Sequence, residues 1–526
     1  MGLLSAAEVV GQILFSFTRS VTEHYNPEEP EFTAEFFGYD LLESTGREWY
    51  YQPVDELIYQ EYSDREATTW DYLGSSVLDI KVINACLPDE VTDEHQEDDR
   101  AMAWKRLRPS ALCTVGKSMC IGALISVLAA IVMGTLYTLI CYARFKSLYL
   151  SCHHSHNSTS VQMQWKITIS GVIGCGFFYI WPFTFLLLLF RPFQLIGIKR
   201  TLFLVPFLCY CLDALYRVAC RALTLSHVSI SSFLTWFPLN AMFIISICLE
   251  MYVVANHFCP RSRTKSKLTL FFQMIVPVFL TFFIGEIGQY FIYPAYADPK
   301  NNNQDKLLIA LFLPLIVPIL KVIARVCVQR LYNISHPGYS YVLLGPLFYG
   351  SAVISRALQA DLNTLEYIAI LGIIHGAAEV IERSTMVFID HICHVLWKRK
   401  SAPWGSFRTP RRERLMADIA IMSMLSESTA IVSVNGFIYL HKFLCLKDNS
   451  LFEVLQLFAK CTSVQLMIEW FFTSVSLAIE TRYQNLAVMA VLRRRWKRHI
   501  LVAIVNVIPL AVYTSEDLLR LVSGQF

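Results

Sequence analysis

The residues best able to do chemistry lie in one apolar stretch, residues 372–394 (GIIHGAAEVIERSTMVFIDHICH). At helical spacing His375, Glu379 and Glu382 fall along one stripe, continued by Thr385 and Met386. Imidazole titrates near neutrality and a desolvated carboxyl moves up toward the same range, so His and Glu one turn apart can share and pass a proton. Gly372 and Gly376 on the same segment form a small-xxx-small surface on which a neighbouring helix can approach closely. Two later apolar stretches add Glu427, beside Ser426, Ser428 and Asn435, and Glu469, with Lys460 and Gln465. An earlier one carries Asp213 and Arg217 four residues apart, a spacing that lets them pair on one helix face. Each ionisable group inside a spanning helix costs about 2.5–3.5 kcal/mol on insertion scales, so such groups are expected to face an interior or a water-filled cavity. His375, Glu379, Glu382, Glu427, Glu469, Asp213 and Arg217 are therefore the candidate ion or substrate pathway. The competing reading is a buried packing network, and for Asp213 and Arg217 a simple ion pair. Lys321 and Arg325, near the end of their segment, are expected to snorkel to the headgroups.

Other chemistries find little support. Asp390, His391 and His394 offer metal-ligand types, but no HExxH or HxxxH pattern accompanies them and no second cluster is close in sequence, so no metal site is expected. Glycine-rich phosphate loops, a GxSxG elbow and a GKS/T loop are absent, which argues against an ATP-driven pump or a serine hydrolase. No catalytic residue and no cofactor is assigned.

The elements that must position these residues are membrane spans. Across 526 residues the chain is 55% hydrophobic and only 17% charged, with a mean hydropathy of +0.44. Soluble domains carry about 25% charge, so the expected class is all-α, a polytopic membrane protein, and a secreted, disordered or nucleic-acid-binding chain is excluded. A bilayer core takes about 20 helical residues. Eleven apolar runs approach that length: 119–142, 167–190, 202–221, 233–255, 268–292, 307–326, 342–358, 362–389, 415–440, 451–479 and 500–518. The seventh is short and contains Gly345, Pro346, Gly350 and Arg356, which reads as a broken or re-entrant helix and leaves the count at about 10–12.

Orientation follows from the connections. With the N-terminus cytoplasmic, the loops at 191–200, 257–267, 328–340, 397–414 and 480–499, the last with its RRRWKR run, fall inside and hold nearly all the loop Lys and Arg. The first outward loop then contains Asn157-Ser158-Thr159, an N-glycosylation acceptor, while Asn333-Ile334-Ser335 falls inside and is expected to go unused. Fifteen cysteines show no paired zinc spacing; Cys152 and Cys445 both fall in outward loops and are the candidate disulfide.

The net charge of +3 hides two opposed parts. Residues 1–100 hold 23 Asp and Glu against 5 Lys and Arg. The reading is an amphipathic helix over 1–18, an acidic cytoplasmic region over 19–100, a basic juxtamembrane linker over 101–118 and the transmembrane domain over 119–526. Opposite potentials on one side of the membrane are expected to dock the acidic region on the basic loops. The location expected is a plasma membrane or endomembrane of a eukaryotic cell, with membrane lipids and a small ion or solute as partners and no nucleic acid. A transporter or channel coupled to protons through segments eight to ten leads. A lipid-modifying transferase with His375 as base, and a scramblase or scaffold, are the alternatives.

Overall fold

The computed structural model describes residues 111–149, 161–190, 194–225, 232–259, 266–297, 303–331, 334–335, 338–360, 362, 365–398, 410–445, 450–482, 486 and 488–523. The expected amphipathic helix over 1–18, the acidic region over 19–100, Asn157 and Cys152 lie outside the described residues, as does the side chain of Cys445.

Every long element is a helix, and no strand occurs among the described residues. In hydrocarbon every backbone N–H and C=O must be satisfied internally, and a helix does this within one segment. In chain order they are α1 (Ala111–Ala129, one π-helical turn at Ala130–Gly134, then Thr135–Tyr149), α2 (Val161–Leu189), α3 (Lys199–Leu225) and α4 (Ser232–Phe258). Next come α5 (Lys267–Ile287, a π-helical turn at Gly288–Ile292, then Tyr293–Ala297), α6 (Asn303–Gln329) and α7 (a 3-10 turn at Ser340–Leu344 leading into Gly345–Ala360). The last four are α8 (Leu365–Lys398), α9 (Pro410–Cys445), α10 (Leu451–Arg482) and α11 (Val488–Ser523).

Among the described residues ten of these helices are long and apolar enough to cross a membrane, which is compatible with a multi-pass membrane protein. The eleventh is α8. It is 34 residues long and as apolar as several of the others, but the charges that drew attention to it in the sequence are too closely spaced to leave a clean span. The seventh segment is not broken: Gly345 and Pro346 sit at the entry, where the 3-10 turn hands over to a regular helix, and Gly350 lies within that helix without interrupting it. The RRRWKR run is not a loop either, because it contains no breaker and forms the first turns of α11.

Burial sets the layers. The spanning portions of α7 and α9 are each 94% buried, against 17% for α3 and 22% for α10, so α7 and α9 form the middle of the bundle and α3 lies at its edge. Small residues let α1 reach α9: a Cβ on Gly134 would lie 2.5 Å from Val432 Cγ1, and one on Gly436 would lie 2.6 Å from Thr138 Oγ1. The π-helical turn of α1 ends at that contact.

The basic connections share one end of the bundle. Arg498, on the first turns of α11, donates to the carbonyl of Leu188 at the end of α2 and lies 3.3 Å from the ring centre of Tyr339. Arg412, at the start of α9, donates to Gln329 Oε1 at the end of α6 over 2.7 Å.

Candidate functional site

The polar side chains of α6 to α10 meet inside the bundle around one guanidinium. Arg356 is 1% exposed and is placed by α7, the central helix. Its Nε and Nη2 donate to Glu427 Oε2 of α9 over 3.1 and 2.9 Å. Nη2 also donates to Glu469 Oε2 of α10, and Nη1 to Gln359 Oε1 one turn on, over 2.8 Å. His375 of α8 brings its Nε2 to 3.3 Å from the same Glu427 oxygen. Thr473 donates to the second Glu469 oxygen over 3.0 Å.

Close approach of helix backbones allows this convergence. A Cβ on Gly376 would run into the ring of Phe472, and one on Gly372 would lie 2.8 Å from Gln359 Nε2. The small-xxx-small surface of α8 therefore faces α10 and the end of α7, and His375 lies between its two glycines in sequence. Any larger residue at Gly376 would push α8 away and take His375 from Glu427.

The network continues along α8. Glu379 accepts from Ser423 of α9 over 2.6 Å and lies 3.6 Å from Arg383. Arg383 donates from Nε and Nη2 to the two carboxylate oxygens of Glu480 on α10 over 2.8 and 2.7 Å, a forked pair that fixes both groups. Lys321 of α6 donates to Glu382 over 3.2 Å, and Arg325 donates to Asp390 over 2.8 Å. Lys321 and Arg325 thus do not snorkel. They are 6% and 2% exposed and turn inward, because each finds a carboxylate on α8.

Of the residues expected from the sequence to form one pathway, His375, Glu379, Glu427 and Glu469 come together. Glu382 joins one turn further along. Asp213 and Arg217 do not: they pair with each other on α3, and Asp213 also accepts from Tyr179 of α2 over 3.1 Å. Arg356 is the group that sequence reasoning passed over as a pathway residue. The signal was a lone Arg in an apolar segment, which requires a carboxylate partner somewhere in the fold. In the sequence Arg383 lies in the same stretch as His375 without an assigned role, Asp390 reads as a metal-ligand type, and Glu480 falls at the start of the loop 480–499.

The charge balance of this ladder is uneven. Five carboxyl groups (Glu379, Glu382, Glu427, Glu469, Glu480) face three cations (Lys321, Arg356, Arg383), and His375 is the titratable neighbour of the central pair; at the end of the ladder Asp390 faces both Arg325 and Arg412. Among the described residues no three His, Cys, Asp or Glu are grouped as metal ligands. The side chains of His391 and His394 lie outside the described residues.

Two further buried acids stand apart. Asp418 of α9 meets His499 Nε2 of α11 at 3.0 Å, and the imidazole stacks on Tyr341. Glu250 of α4, fully buried, has only a long contact from Ser246, 3.5 Å, and its second oxygen has no hydrogen-bond partner among the described residues.

A helical bundle with ten candidate spans and a charged core is thus what the geometry defines. No family model matches the chain, and no curated protein or solved structure is significantly similar to it.

Proposed function

We propose that this chain is a membrane transporter whose transport step is coupled to protons held by His375, Glu379, Glu427 and Glu469 around Arg356. The observation that carries the reading is the excess of buried carboxyl groups over cations. Unpaired charge in a low-dielectric interior is neutralised rather than tolerated, so the excess calls for protons or a bound cation. Here the carboxyl oxygens point to guanidinium, ammonium, imidazole and hydroxyl groups and not to a common centre, which favours protons. His375 gives the proton a way in: its side chain is 17% exposed, against 5% for Glu427 and 1% for Glu469. Because Arg356 bridges Glu427 and Glu469 on two different helices, a proton on either carboxyl weakens one arm of the bridge and lets α9 and α10 move against α7. Protonation and helix position are then linked, which is what coupling requires.

In proteoliposomes loaded with a pH-sensitive dye, the wild-type chain is expected to carry protons, and Glu427→Gln and Glu379→Gln to fold normally while flux is lost or no longer depends on pH. Wild-type flux and pH response in both variants removes these residues from the mechanism. The orientation that goes with this reading has the N-terminus cytoplasmic. Its check is a glycan on Asn157 that disappears in Asn157→Gln; a C-terminal tag that reads cytoplasmic overturns either the orientation or the odd number of spans.

A further inference from the structure

A second site lies at the N-terminal part of the helix that carries Arg356. Between α2, α5, α7 and α11 is a pocket of about 60 Å³, walled by the rings of Phe178, Trp181, Phe282, Tyr293, Tyr349 and Tyr513. Pro346, Gly350 and Ile354 of α7 complete one side, and Ile354 is two residues from Arg356. None of the lining residues is Asp, Glu, Lys, Arg or His. The nearest acid, Glu286, is engaged with Tyr513 behind the wall, so a charged ligand would lose its hydration here without a charged lining residue to replace it, and the occupant is uncharged.

Two lining groups say more. The indole N–H of Trp181 and the carboxamide oxygen of Asn506 are buried, in residues 7% and 2% exposed, and neither has a hydrogen-bond partner among the described residues. One is a donor and the other an acceptor. Groups of this kind are costly to leave unmade, and a hydroxyl has what each lacks, an acceptor for the indole and a donor for the amide. The volume is about two water molecules' share of the liquid, enough for a polar head and not for a whole lipid. The rest of such a molecule has somewhere to go, because Phe178, Phe282, Leu510 and Tyr513 are only half-buried and open the pocket to the outer surface of the bundle.

We infer that this pocket binds an uncharged, lipid-soluble alcohol, its hydroxyl between Trp181 and Asn506 and its apolar body at the mouth, and that this is the cargo class of the transporter. The assignment as cargo rests on the proton-coupled reading; the occupancy of the pocket does not. Since α7 forms a wall of the pocket and also carries Arg356, an occupant that shifts α7 shifts the centre of the charge network.

The test is photolabelling of the full-length chain in detergent with a diazirine analogue of octanol, followed by peptide mapping. Adducts are expected on the peptides holding Tyr349 and Tyr513, with octanol displacing the label about tenfold better than octanoate or octylammonium. Asn506→Leu is expected to reduce labelling there about tenfold, the effect of one lost buried hydrogen bond, without changing labelling of the outward residues Phe203 and Phe207 of α3. Gly350→Ala is the second variant: its Cβ would lie 3.5 Å from Thr281 Cγ2, an ordinary contact, so it narrows the pocket without a clash and should also weaken labelling. Labelling of α3 as strong as that of the pocket, equal displacement by octanoate, or indifference to both variants overturns the site. A wild-type chain that carries protons but takes no label in the pocket refutes this inference alone, whereas a wild-type chain labelled in the pocket without any proton flux refutes the coupling and leaves the site.

Discussion

Charges inside α2–α5 and charges inside α6–α10 are held in different ways. On the first side Asp213 is paired with Arg217 of its own helix, whose side chain is 28% exposed, and Glu250 accepts among the described residues only from Ser246 of its own helix; the surrounding contacts are aromatic, with Phe243 edge-on to Phe178, Tyr179 and Phe282. On the second side the strong pairs join different helices, across 61 residues for Lys321 and Glu382, 71 for Arg356 and Glu427, 97 for Arg383 and Glu480, and 113 for Arg356 and Glu469. A pair within one helix moves with that helix and reports nothing. A pair between helices is made or broken when they move, so on the proposed mechanism the second region, where charge pairs join helices, is the one that converts a proton into a change of shape.

The largest effect expected from this difference is at Arg356. Arg356→Leu strands Glu427 and Glu469 and should cost about 3–5 kcal/mol, read as a large fall in melting temperature and yield of purified protein. Arg356→Lys keeps the charge but not the fork that reaches both carboxylates, and should fall between. A leucine variant that melts with the wild type would erase the distinction between the two regions.

Helix spacing comes next. Gly376→Leu drives a side chain into Phe472 and should destabilise by about 1–3 kcal/mol while abolishing proton flux, because His375 leaves Glu427. Gly171→Leu on α2, where a Cβ meets nothing within 4 Å, should stay within about 0.5 kcal/mol of wild type. Equal melting temperatures for the two would mean that the approach of α8 to α10 does not matter.

The smallest effects are expected at the isolated acids. Asp213→Asn weakens a pair that is exposed at one end and should cost under about 1 kcal/mol. Glu250→Gln strands no cation among the described residues and should change stability no more than that. Both should leave flux intact. Lost flux in Glu250→Gln would extend the functional centre to α4.

These contrasts mark what a single sequence could and could not yield. The spans were legible because about 20 apolar residues are required to cross a bilayer and the runs have that length. The chemistry of α8 was legible for the same reason in reverse, since His375, Glu379 and Glu382 are costly where they stand. The partners were not, because pairing across 60 to 113 residues leaves no local pattern; the distances belong to the packing of α7 and α9. Arg356 therefore looked like a disruption of its helix, and Lys321 and Arg325 like residues near enough to the headgroups to reach them. The basic run before α11 was read as a loop from its charge, although nothing in Arg493 to Arg498 stops a helix. The pocket of Trp181 and Asn506 had no sequence signal at all, since aromatic residues are common throughout a lipid-facing chain.

If the Arg356 cluster holds protons that come and go, as proposed, infrared spectroscopy of the purified protein reads this without knowledge of the cargo. A protonated carboxyl has a carbonyl stretch distinct from that of a carboxylate and shifts in heavy water. Difference spectra taken between about pH 5 and 8, the range in which His charge also changes, should show such a band for the wild-type chain. The band should shrink in Glu379→Gln, Glu427→Gln and Glu469→Gln, and its pH-dependent part should survive in Glu250→Gln. A spectrum with no pH-dependent protonated carboxyl, or one that the three cluster variants leave unchanged, would contradict the account.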